Sequence, residues 1–221
     1  MTRLAWGLAF LAAACVPPHP ATPVAMDVGP LRHVEFPGPP ERTSGTAVVS
    51  GASVTVATAT YVEYGDAPVL LRARSVALDD VVKLDDEDAP LLCEPLAMRL
   101  GEIGTVDGQP VSIGELPGCT FQVELPRRLG RRPKSLLREG AHVSLRIAVG
   151  HSAAAVLMAA TVRGSPPDAD AKAGIDRFFG SAHIVEGVRP GRDARSAGRG
   201  AVNTQMIEDL AAALVGDLTH E

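Results

Sequence analysis

Aromatic residues are scarce: one Trp, two Tyr and five Phe make up 4% of 221 residues. A core here cannot rest on large rings, so the 46% apolar content must fill it with Val, Leu, Ile and Ala. Cysteine is scarcer still. Three, at 15, 93 and 119, are too few for a disulfide-built scaffold and too dispersed for a metal cluster. An excess of positive charge is also missing. With 21 basic against 26 acidic residues the net charge is −5, which counts against general nucleic-acid binding, a process that depends on neutralising phosphates. No internal repeat is visible. The apolar run from Leu4 to Val16 has thirteen residues, short of the roughly twenty that a membrane-crossing helix needs.

That run has another use. Met1-Thr2-Arg3 carries only positive charge, an apolar segment follows, and Ala12-Ala13-Ala14 closes it with small side chains. Such an order reads as a secretory leader. Cys15 comes immediately next, and the stretch LAAAC resembles the lipobox of bacterial lipoproteins. Leu, which the family prefers three places before the cysteine, stands one place earlier here as Leu11, with Ala12 in its usual position. The resemblance implies that residues 1–14 are removed and that Cys15 is acylated and becomes the first residue. It also implies several acyl chains, enough for stable anchoring where a single chain holds only marginally. The family's retention signal for the inner membrane is Asp after the cysteine. Val16 stands there, which implies the periplasmic face of the outer membrane. Loss of the leader removes Arg3, so the 207 residues that remain have 20 basic and 26 acidic side chains, a net of −6.

Between Val16 and Arg42 lie Pro17, Pro18, Pro20, Pro23, Pro30, Pro37, Pro39 and Pro40, eight of eighteen prolines. Proline fixes φ and donates no hydrogen bond, so residues 15–45 read as a stiff spacer, reaching up to roughly 80 Å at ~3 Å per residue. An edge strand over Leu31 to Phe36 is the alternative for its second half. Residues 46–221 then form a single domain.

The signals within that domain are mostly those of strands. Ser53 to Tyr64 is rich in Val, Thr and Tyr, residues that suit a pleated surface. Phe121, Val123 and Leu125 alternate with polar neighbours, as do Val143, Leu145, Ile147 and Val149. Period-two alternation marks antiparallel sheet with one buried and one wet face. Val69 to Leu78 is a weaker example, with Arg72 and Arg74 on its polar side. Helical period is clear only at the end, where Met206, Ile207, Leu210, Leu214 and Leu218 make a stripe that Asn203 or Thr204 can cap. The predicted class is α+β: a mainly antiparallel β-sheet with a C-terminal amphipathic helix.

Candidate chemistry is sparse. Cys93 and Cys119 form an even pair, which in an exported chain is expected to bridge. VGHSAAA, 149–155, is similar to the nucleophile elbow of α/β-hydrolases, with Gly150 and Ser152 in place and Ala154 where the second glycine would stand. That resemblance implies an alternative function as a serine hydrolase, with Asp176 and His183 as the remaining partners. Strand following strand, and only 69 residues after Ser152, favour a turn instead. His19, His33, His142, His151, His183 and His220 share no ligand spacing, and Asp85-Asp86-Glu87-Asp88 lacks the central glycine of an EF-hand loop. Neither a metal nor another cofactor is expected. Two charge runs remain. Asp79 to Asp88 holds six carboxylates and one lysine, and Arg127, Arg128, Arg131, Arg132, Lys134 and Arg138 form a basic turn. Solvation accounts for both. The sharper readings are mutual pairing or, since guanidinium is a good fork for phosphate and carboxylate, an anion-binding site. The expected protein is therefore a membrane-anchored, non-enzymatic binding or assembly accessory whose partner is an envelope protein or an anionic envelope polymer.

Overall fold

The computed structural model describes residues 22–49, 51–64, 66–78, 89–113, 116–127, 140–150, 152–184 and 204–215. It is an α+β fold built mainly from antiparallel sheet. In chain order come β1 (Val24–Val28), β2 (Leu31–Phe36), β3 (Glu41–Val49), β4 (Ala52–Glu63), β5 (Val69–Ala77), α1 (Ala89–Gly101), β6 (Thr105–Ile113), β7 (Leu116–Leu125), β8 (Ala141–Val149), β9 (Ala153–Val162), α2 (Ala169–Ser181), β10 (His183–Ile184) and α3 (Thr204–Val215). Seven strands make one sheet in the order β3-β4-β5-β9-β8-β7-β6, and β1-β2-β10 make a second, smaller one.

The large sheet is the middle layer of three. On one face, Leu96 and Leu100 of α1 and Leu210 and Leu214 of α3 meet Phe121, Val123, Leu145, Ile147, Val156 and Val76. On the other, Val34 and Phe36 of β2 and Phe178 of α2 meet Leu71, Ala73, Ala155, Leu157 and Ala159. Strand β9 therefore lies between two cores, and Ala153 to Ala160 are all buried. A strand buried on both faces reads as a continuous apolar run without alternation. AAAVLMAA is such a run, and its alanines let both layers approach.

The edge strand β6 illustrates how closely the sheet is built. Gly108 pairs with Phe121, and a Cβ at Gly108 would fall 2.3 Å from the Phe121 ring. Only glycine lets that ring lie across the edge. Pro110, two residues on, is tolerated because an edge strand has outward N–H groups it does not need.

Residues 24–36 do not form an extended spacer. Met26, Val28, Leu31, Val34 and Phe36 are all buried against the large sheet. The hairpin turns at Gly29-Pro30, with Gly29 at φ +56°, and the Ser75 hydroxyl donates to the carbonyl of Val28. Pro30 sits in this turn, and Pro37, Pro39 and Pro40 in the link to β3, so none disturbs a ladder. The alternation was hidden by a bulge: Met26 pairs with Val34 but Val28 pairs with Leu31, so Asp27 alone opposes both Arg32 and His33. Buried positions on β2 consequently run 31, 34, 36. Strand β2 is also central in its small sheet rather than at an edge.

Asp27 holds the bulge together. Its carboxylate accepts from the backbone N–H of His33 at 3.1 Å and from Arg32 Nη1 at 2.6 Å, and His33 adopts φ 54°. Two helices that the sequence did not announce complete the layers. In α1 the buried side chains Cys93, Leu96 and Leu100 mark the inward face despite Pro95. In α2, Asp168 caps the first turn by accepting from Ala171 N–H at 2.8 Å, and only Gly174, Phe178 and Phe179 are buried. Cys93 of α1 is bridged to Cys119 of β7, with Cα atoms 5.6 Å apart. In α3, Leu210 and Leu214 of the expected stripe are buried and Glu208 is exposed, whereas Asn203 and Leu218 lie outside the described residues.

Two outcomes follow from this architecture. The His33 N–H, and after it Arg32, hold the Asp27 carboxyl below its ordinary value of 3.8. A depressed folded pKa gives stability that is full above the unfolded value and is lost as pH falls through the folded one. Thermal melts below about pH 4 should therefore show Asp27→Asn losing less stability on further acidification than the parent. Breaking the bridge with Cys93→Ala and Cys119→Ala, which frees a separation of 26 residues, should cost about 3–3.5 kcal/mol in denaturant unfolding.

Candidate functional site

The two cores do not cover the large sheet equally. Among the described residues, the small sheet and α2 lie over β4, β5 and β9 and leave the same face of β6 and most of β7 and β8 open, with Gly118 and Ala148 buried at one end of it. Strands β7 and β8 alternate, burying Phe121, Val123, Val143 and Leu145 in the core they share with α1 and presenting the polar set to solvent, while none of the described side chains of the edge strand β6 is fully buried. Cross-strand register then lines the exposed set into rungs: Glu124 opposite His142, Gln122 opposite Ser144, and Thr120 opposite Arg146.

Each rung is held by its own contacts. His142 Nδ1 meets Glu124 Oε1, and both side chains are about half exposed. The Ser144 hydroxyl donates to Gln122 Oε1 at 2.8 Å. Thr120 Oγ1 donates to the carbonyl of Leu145 at 3.3 Å. Arg146 lies 4.8 Å over the Phe179 ring and donates from Nη1 to the carbonyl of Phe179 at 3.4 Å, so α2 forms a wall along this floor. Thr105, Asp107 and Gln109 of β6 extend the floor outward.

The chemistry of the face suits recognition rather than bond cleavage. The Glu124 carboxylate has no proton to give, so it accepts from Nδ1 of His142 and fixes how the ring is oriented on the face. The hydroxyl two residues along, Ser144, donates to Gln122, so it is not paired with the imidazole that would have to activate it. What remains is a row of donors and acceptors on rigid strands. The alternation of β7 and β8 was legible in the sequence, but the pairing that puts 124 beside 142 was not, because register depends on a loop whose length says nothing of its geometry.

The residues singled out in the sequence fall elsewhere. Ser152 does not sit in a nucleophile elbow. Gly150 N–H donates to the carbonyl of Ala153 at 2.7 Å, closing a turn, and the chain continues into antiparallel β9 instead of a helix. The backbone carbonyl of Ser152 accepts from Leu78 N–H at 2.8 Å, tying this turn to β5. Asp176 is exposed on α2, and His183 is exposed on β10, where it pairs with Arg32. The sequence Gly-His-Ser was thus misleading in its helix-entry implication: alanines after the serine continue a doubly buried strand. Arg127 is exposed just after β7. Arg128, Arg131, Arg132, Lys134 and Arg138 lie outside the described residues, as do Cys15 and the acidic run 79–88. Among the described residues, no three His, Cys, Asp or Glu side chains gather as a metal site would require.

A fluorophosphonate probe incubated with the purified protein should leave Ser152 unmodified, read by peptide mass mapping. An adduct there would restore the hydrolase alternative. Compared with family models, curated proteins and solved structures, the chain matches none, so its function has to be argued from its own residues.

Proposed function

We propose that the chain is a lipoprotein of the bacterial envelope, anchored through Cys15 at the periplasmic face of the outer membrane, and that its domain is a binding or assembly accessory rather than an enzyme. The observation that supports this reading is the order of residues 1–15: Arg3, an apolar run from Leu4, and Ala12-Ala13-Ala14 directly before Cys15. The bridge between Cys93 and Cys119 supports it, because a bond of this kind forms and persists in an oxidising compartment. Among the described residues no helix is long and apolar enough to cross a membrane. The binding surface is the open face of β6, β7 and β8, where Gln109, Gln122, Glu124, His142 and Ser144 offer hydrogen bonds to a polar partner. An anionic polymer or an envelope protein segment fits that chemistry, with the basic run starting at Arg127 as an additional contact for the former.

Metabolic labelling with palmitate tests the anchor. The parent protein should incorporate label and fractionate with the outer membrane, whereas Cys15→Ser should incorporate none and remain uncleaved or soluble. Label retained in that variant overturns the proposal.

A further inference from the structure

The registers define which loops share an end of the large sheet. One row runs Glu63 of β4, Val69 of β5, Thr161 and Val162 of β9, Ala141 of β8 and Leu125 of β7. Thr105 of β6 pairs with Glu124, and Glu41 of β3 pairs with Thr60, so these strands begin at that end too. Phe36 is only five positions before Glu41, and Val24 pairs with Phe36. The first described strand therefore starts at this end. At the opposite end lie Val49, Ala77 and Val149 with its partner Ala154.

The described residues at the entry end are chemically distinctive. Tyr64, directly after β4, is 79% exposed, and Met98, in the last turn of α1 before β6, is 65% exposed. Arg163, in the turn after β9, is exposed and donates its N–H to the carbonyl of Gly140 at 2.9 Å. Arg127 is exposed at the same end, with its backbone beside Gly140. Carboxylates share the end, Glu63, Asp66 and Glu102 among them, so charge alone does not define it.

Reach decides what this end faces. Only residues 16–23 separate Cys15 from β1. Eight residues span about 25 Å when extended, less than the roughly 40 Å breadth of a globule of this size. Resting on the anchoring reading above, we infer that the entry end is seated on the phospholipid leaflet. Tyr64 and Met98 lie in its headgroup region, and Arg127 and Arg163 lie beside lipid phosphates. An amphipathic ring suits that zone, and arginine pairs with phosphate. The open face of β6 to β8 then stands upright from the membrane, free for its partner.

The full lipoprotein, reconstituted in vesicles of phosphatidylethanolamine and phosphatidylglycerol, tests this. An environment-sensitive fluorophore on Tyr64→Cys is compared with one on Val48→Cys, which is 63% exposed near the far end of β3, about 24 Å along the strand from Glu41. The label at 64 should shift blue and brighten about two-fold on vesicles, as an interfacial group does, and the label at 48 should not change. Met98→Cys should repeat the result for 64, which keeps the test decisive if Tyr64→Cys folds poorly. No shift at 64 or 98, or an equal shift at 48, overturns the seating while leaving the anchor intact, provided that the mass of the Cys15 peptide shows its lipid. A Cys15 peptide without lipid overturns both.

Discussion

The constraint on which the architecture depends is the burial of β9 on both faces. A sheet that carries a layer on each side needs a central strand with no polar side, and side chains small enough for two cores to close at the usual spacing of about 10 Å. Ala153, Ala154, Ala155, Ala159 and Ala160 meet that need, with Val156, Leu157 and Met158 filling the middle. The low aromatic content follows the same logic. Phe36 and Phe178, with centroids 5.2 Å apart, enter one core from the layer outside the sheet, and Phe121 of β7 is the ring in the other.

The second layer exists because of one local irregularity. Without the extra residue at Arg32-His33, Val34 and Phe36 would point to the solvent face, since a one-residue slip reverses every side chain beyond it. Asp27 opposes the inserted residue and satisfies the His33 N–H that the bulge leaves unpaired. An exposed carboxylate thus determines which face of β2 is buried, and with it whether the small sheet can cover Leu71 and Ala73.

Legibility in the sequence tracked exposure. Strands β7 and β8 were visible because one of their faces is open, and β4 because its composition is rich in branched and Thr residues. Strand β9 was not, since burial on both sides erases alternation. Helix α1 was masked by Pro95 and by a mostly apolar sequence, and α2 by a stripe reduced to Gly174, Phe178 and Phe179. The hairpin β1-β2 was read as spacer because prolines were counted without regard to whether they fall in turns. The pair Cys93 and Cys119, expected to bridge from their even number in an exported chain, is bridged between α1 and β7. Of the candidate face, the residue types were legible and their juxtaposition was not.

Among the described residues, a small sheet of three strands, one of them two residues long, is too narrow to cover seven strands, so half of one face of the large sheet stays wet. The chain keeps that half soluble by placing polar residues at every outward position of β8 and β7 except Ala148, Gly118 and Leu116, which lie at one end. Solubility alone needs only charge, and lysine is the usual choice at such positions. Here the row is Thr120, Gln122, Glu124, His142, Ser144 and Arg146, with no lysine among them; five of the six are already ordered by contacts across the strands, and Arg146 by its contact with α2. Groups ordered in advance lose less entropy when a partner binds. A face whose donors and acceptors are fixed by backbone register, beside the wall made by Phe179, is therefore better suited to hold a polar ligand than to repel one.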